Sequence, residues 1–236
     1  MKPILRRLIA PLRSPRSPSE AELRSSIGKL SRQLAELMHN AAGKAPIFCQ
    51  QSLFRLENMS HQLDDLRKAT ITFETTETWR SVYEDVLQSS KTRRYFSVAL
   101  IRSDDYWRDP PGERSLEFNY RLISHGFHIH RAFLIDEFFW PPSARTPSGD
   151  ILRWIMKQHQ GGIEVSLVRL AALEDEPCLI CDMGIYGEDA VGLQQTDFEG
   201  KTVRFELHFD ANSIRQAEQR WSQLQLFATP LEQLLP

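Results

Sequence analysis

The chain has 236 residues, 41% hydrophobic and 25% charged, with a formal net charge of −2. This is ordinary globular composition and excludes a collagenous or wholly disordered chain. Mean hydropathy is −0.40, and no window reaches the roughly 18 unbroken apolar residues of a membrane-spanning helix. Three cysteines cannot build a disulfide framework, so a reducing, cytoplasmic setting is expected. The charge is uneven along the chain. Residues 1–70 carry 12 Lys/Arg against 6 Asp/Glu, a net of +6; residues 71–236 carry 17 against 25, a net of −8.

Residues 1–19 read as a basic leader punctuated by proline. Ile4, Leu5, Leu8, Ile9 and Leu12 keep helical spacing beside Lys2, Arg6, Arg7 and Arg13, and Pro11, Pro15 and Pro18 then favour an extended spacer. Residues 1–16 are a candidate for weak contact with an anionic membrane or a nucleic acid. A short terminal helix docked on its own protein is the other reading.

Residues 20–72 read as a helical dimerisation or packing segment. Ser19 can cap a helix with Glu22 three residues on as the second half of a capping box. Leu23, Ile27, Leu30, Leu34 and Leu37 then recur at spacings of 4, 3, 4 and 3, a short heptad seam. Gly43 and Pro46 break it, and a second ladder follows at Leu53, Leu56, Met59, Leu63 and Leu66. The pattern predicts an α-helical hairpin or a coiled-coil arm, and with it a homodimer. A helix-turn-helix DNA reader needs a tight turn and a polar recognition face. Arg55, Asn58, Arg67 and Lys68 are all the second ladder offers.

From Thr75 to the C-terminus the periodicity alternates, which predicts an α/β domain over 75–236 with a mixed sheet and flanking helices. Trp79 to Leu87 reads as a helix, Tyr95 to Ile101 as a strand, and Leu116 to Ile123 as a helix stopped by Gly126. Phe127 to Ile135 is a strand, Asp150 to Gln160 a helix ending at Gly161-Gly162, and Ile163 to Leu170 a strand. These crossovers imply parallel pairing. Cys178 to Tyr186, Ala190 to Gln195 and Thr202 to Phe209 read as a following meander, and a last helix starts at Asp210 or Asn212. The expected total is six or so strands.

The phrases FSVALIRSDDYW, LISHGFHIHRAFLI, HQGGIEVSLVRL and CLICDMGIYGEDAVGL, in that order, resemble one half of the phospholipase D superfamily fold. The resemblance covers about 160 residues from Thr75 and implies chemistry through His-x-Lys-x4-Asp. There the His attacks phosphorus, the Lys holds phosphoryl oxygens and the Asp orients the ring. With Asp182 as that Asp, the other two places hold Asp175 and Pro177. An acid and a ring that cannot donate would stand for nucleophile and clamp. The resemblance thus implies a degenerate, non-catalytic domain, and the family's paired halves again imply a homodimer.

Other constellations are weaker. His128 and His130 share a strand face, but no third ligand follows at fixed spacing, so no metal or cofactor is expected. Cys178 and Cys181 have the CxxC spacing but are expected buried on a strand, not at a reactive helix end. The aromatic run Phe138, Phe139 and Trp140 precedes two prolines. It follows one strand while Asp104, Asp105, Tyr106 and Trp107 follow another, and open α/β sheets bind ligands at such strand ends. These seven residues are the candidate ligand or partner site. The expected function is a non-catalytic, regulatory sensing or interaction module that binds a small-molecule effector or a protein there. Two alternatives remain: a hydrolase using His128 and His130 with Asp104 and Asp105, and a structural adaptor in a larger assembly.

Overall fold

The computed structural model describes residues 18–41, 43–76, 78–101, 110–197 and 202–235. The chain divides into two compact units, one formed by Ser14–Lys68 and the other containing Ala69–Pro236.

The first unit holds two helices, α1 (Glu20–Ala41) and α2 (Pro46–Arg67). The capping box forms as the sequence suggests. The Ser19 hydroxyl accepts from the Glu22 backbone N–H at 3.2 Å, and the Glu22 carboxylate accepts from the Ser19 N–H at 2.6 Å. Pro46 starts α2, where its missing N–H costs nothing.

The second unit is a mixed sheet covered on both faces. Its elements are β1 (Thr70–Glu74), α3 (Trp79–Ser89), β2 (Arg94–Ile101), α4 (Pro110–Ser124), β3 (His128–Ile135), α5 (Gly149–Gln160), β4 (Glu164–Arg169), β5 (Asp182–Tyr186), β6 (Ala190–Thr196), β7 (Thr202–His208), α6 (Ala211–Leu224), β8 (Thr229–Pro230) and α7 (Leu231–Leu234). The strand order is β1-β7-β6-β5-β2-β3-β4-β8. β2, β3 and β4 run parallel, joined by α4 and α5, and the remaining pairs are antiparallel. The two helix-to-strand turns use glycine for its backbone freedom. Gly126 has φ +85° and Gly162 φ +95°, left-handed conformations that side chains disfavour.

Strand alternation sorts the core into two layers. Tyr95, Ile129, Phe133 and Phe205 face Trp79, Tyr83, Phe118, Leu122 and Ile155 from α3, α4 and α5. Val98, Leu134, Val168, Met183 and Ile185 face Ile214, Ala217, Trp221 and Leu224 of α6. The Asp210 carboxylate caps α6, accepting from the backbone N–H of Asn212 and Ser213 at 3.1 and 2.9 Å.

Three expectations need correction. The helical segment stops at Arg67 instead of reaching residue 72, because Thr70–Glu74 pairs with β7 as an edge strand. The sheet has eight strands instead of the six or so expected, with β1 and the two-residue β8 added at its edges. Cys178 to Cys181 is not strand. Pro177–Leu179 is a 3-10 turn that buries Leu179, so Cys178 is exposed and Cys181 half-buried, and β5 starts at Asp182.

Candidate functional site

The parallel strands end together, with Ile101, Ile135 and Arg169 in register. Asp104, Asp105, Tyr106 and Trp107 follow Ile101 and lie outside the described residues, as do residues 1–17. The loop after Ile135 is described in full and divides the aromatic run. Phe138 is 81% exposed, whereas Phe139 and Trp140 are buried in the core. An Asp136 turn sets this up: its side chain accepts from the Phe138 N–H at 2.8 Å and its carbonyl from the Trp140 N–H at 2.9 Å.

Arg169, at the end of β4, pins the loop. Its guanidinium lies 4.0 Å from the Trp140 ring centroid and donates to the carbonyls of Trp140 at 2.7 Å, Pro141 at 3.0 Å and Ala144 at 2.7 Å. The Trp140 indole N–H donates to the Ala144 carbonyl at 3.1 Å. Phe139 and Trp140 therefore build the loop, and Phe138 is what it presents.

Asp182 stands elsewhere, on the central strands. With Tyr95, Ser97, Arg131, Tyr186, Gln194 and others it lines a cavity with about 20 Å³ open to a water-sized sphere. That is room for about one water and for no substrate. Arg131 is buried on β3, its Nε donating to the Ser97 hydroxyl at 2.9 Å and an Nη to the Gln158 side-chain carbonyl. Burial pushes the Tyr95 hydroxyl above its ordinary pKa, and the Arg131 charge pulls it partly back. Burial likewise raises Tyr83 and Tyr186, so no phenolate forms here near neutral pH. Sequence reasoning missed Arg131. A charged residue on the core side of the run His128–Ile135 was the signal for it.

His128 and His130 sit at the opposite end of β3. His128 pairs with Arg94 at the start of β2, while the chain leaves for Asp104 at the far end, about 23 Å along the strand. Asp104 and Asp105 themselves lie outside the described residues, and the two histidines have their partners on the sheet. The histidines are engaged: His128 Nε2 lies 2.6 Å from Glu164 Oε2, and His130 Nε2 lies 3.0 Å from the Ser166 hydroxyl. His130 also meets the Trp221 ring edge-on at 4.9 Å. Burial lowers the His130 pKa, and the nearby Glu164 carboxylate partly opposes that. Among the described residues no group of three or more His, Cys, Asp or Glu is placed to hold a metal ion.

The motif places can now be set on the fold. His and Lys two apart share a face when they lie on a strand. Asp175 and Pro177 precede β5 in turns, and only Asp182 is on it. The same spacing begun at Asp182 reaches Gly184 and Asp189, again with neither His nor Lys. Across the whole chain, no histidine is followed by a lysine two residues on.

No family model matches the chain, and no curated protein matches it. Solved structures do. NucT from Helicobacter pylori is 10% identical, with a TM-score of 0.45 over 69% of this chain and 98% of its own. A phospholipase D family member, Nuc from Salmonella typhimurium, is 10% identical, with a TM-score of 0.46 over 68% of this chain and 97% of its own. Polyphosphate kinase from Porphyromonas gingivalis is 10% identical, with a TM-score of 0.48 over 70% of this chain and 27% of its own. At this distance nothing about activity or ligand carries over to this chain.

Proposed function

We propose that this protein is a non-catalytic binding module, a phospholipase D-like α/β unit without the family's chemistry, whose strand-end loops meet an effector or protein partner. One observation carries the reading: no histidine in the chain has a lysine two residues on, so nucleophile and phosphate clamp are missing together. The space beside Asp182 agrees, since about 20 Å³ admits a water and not a diester.

The binding half of the reading is supported by Phe138. It projects an 81% exposed ring, backed edge-on by Phe139 at 4.9 Å, from a loop that Arg169 fixes, a preorganised anchor of the kind binding surfaces use. The test is turnover of bis-p-nitrophenyl phosphate by wild type with and without EDTA, followed by thermal scans against a panel of small metabolites. No turnover is expected. A ligand at a hundredfold over its Kd should add about 2.7 kcal/mol of stability, and Phe138→Ala should remove that gain. Turnover that persists in EDTA would overturn the reading.

A further inference from the structure

We infer that the α1–α2 arm is a self-association surface, on which the arms of two copies of this chain close into a four-helix bundle. The inference deepens the reading of the protein as an interaction module and does not depend on what the strand-end loops bind.

The arm has no interior of its own. Not one described residue of α1 or α2 is buried. Leu30, Leu34 and Leu37 of the α1 seam are half-buried, yet its outer members Leu23 and Ile27 remain 53% and 65% exposed. On α2, Phe48, Leu53, Met59, Leu63 and Leu66 are all exposed. At 100° per residue these five and Leu56 fall within an arc of about 140°, wider than one neighbouring helix covers, while the exposed Ile47 and Phe54 lie on the other side of α2. Between the helices runs a groove of about 310 Å³ whose apolar lining is Leu37, Phe48, Leu56 and Met59. Ordering each residue costs about 1–2 kcal/mol of backbone entropy, and a hairpin that only half-buries Leu30, Leu34, Leu37 and Leu56 has little to offset it.

Charge and size point to a second copy as the cover. Residues 20–67 carry six Lys/Arg and six Asp/Glu, so like meets like without net repulsion. Each helix has 22 residues, about 33 Å, and two side by side are about 20 Å wide. One face therefore offers about 650 Å² per copy and about 1,300 Å² in all, inside the range of stable interfaces. Two hairpins meeting by their apolar faces make the four-helix bundle, the usual way such faces are buried.

The test is light scattering of the full chain across concentration, with cross-linking of a 1:1 mixture of ¹⁴N- and ¹⁵N-labelled protein. The expected results are a dimer and mixed-isotope links through Lys29 and Lys44. Leu63→Glu with Leu66→Glu changes two residues that are exposed in the single chain. It should raise the dissociation constant at least a hundredfold while the near-ultraviolet spectrum of the α/β unit stays the same. A monomeric wild type at every concentration overturns the inference, whatever the diester assay shows. So does a dimer that survives the double variant with mixed links only through Lys91 and Lys157.

Discussion

Arg131 tests the argument that the middle of the sheet is framework and not a catalytic pocket. It is 4% exposed, with Ser97 at 6% and Gln158 at 0%, and it donates to both. Arg131→Met keeps the aliphatic length and deletes the charge and the donors. The Ser97 hydroxyl and the Gln158 carbonyl each lose a buried partner, at about 1–3 kcal/mol apiece. Deleting one member of a buried charged network costs about 3–5 kcal/mol on the same scale. For a unit of this size each kcal/mol moves Tm by about 2–4 °C, so the expected drop is about 6–20 °C.

The assay is a thermal scan followed by near-ultraviolet circular dichroism, which reports Trp79, Trp140, Trp154 and Trp221 of the α/β unit. Arg215→Ala on the exposed side of α6 is the control and should stay within about 0.5 kcal/mol. A double-mutant cycle with Gln158→Leu isolates the contact and should return a coupling of about 1–3 kcal/mol. A drop under about 2 °C for Arg131→Met, or no measurable coupling, would mean that Arg131 is not held as described.

Two further outcomes follow from titrating groups. Burial pushes the Cys181 thiol up to about 11 from its ordinary 9.0, so at pH 8 it is about 0.1% thiolate against about a tenth for an unshifted thiol. Iodoacetamide at pH 8 should therefore modify Cys181 about a hundredfold more slowly than the thiol of a short unstructured peptide, and equal rates by mass spectrometry would contradict its placement. Burial also lowers the His130 pKa, so the unfolded chain takes up that proton first and stability falls as pH drops below about 6.5. The lowered Glu164 carboxyl adds a second loss below its ordinary 4.5. His130→Gln should flatten the fall in Tm between pH 6.5 and 5, and an unchanged slope would assign it to another group.

The alternation from α3 to β4 was legible because each element is bounded locally. Gly126 and Gly161-Gly162 mark where helices turn into strands, and the apolar runs between them are long enough to identify. β1 was not legible. Thr70–Glu74 follows α2 closely, and its strand character comes from pairing with β7, more than 120 residues away. β8 is two residues defined by β4. Cys178 to Cys181 misled because an apolar run suits a strand and a 3-10 turn that buries one leucine equally well, and Pro177 favours the second. At the candidate site, three aromatics in a row suggested a binding surface. Which ring points out depends on Arg169, 29 residues beyond Trp140, and sequence spacing cannot show that partnership.

Buried polar groups and exposed apolar ones carry opposite messages in this chain. A charge is expensive to bury, so one kept inside must be engaged, and Arg131 spends its donors on Ser97 and Gln158 within the sheet's helical cover. An enzyme that transfers phosphoryl groups needs such a cation facing space a diester can enter. Here the adjoining space is the size of a water. An exposed apolar side chain is cheap singly, but a continuous stripe of them invites a partner. The stripe lies on α1 and α2, and the single exposed ring of the strand-end loop is Phe138. Chemistry that acts on a substrate needs polar groups open to solvent, whereas association needs apolar groups there. This molecule turns Arg131 inward and the apolar side chains of α1 and α2 outward.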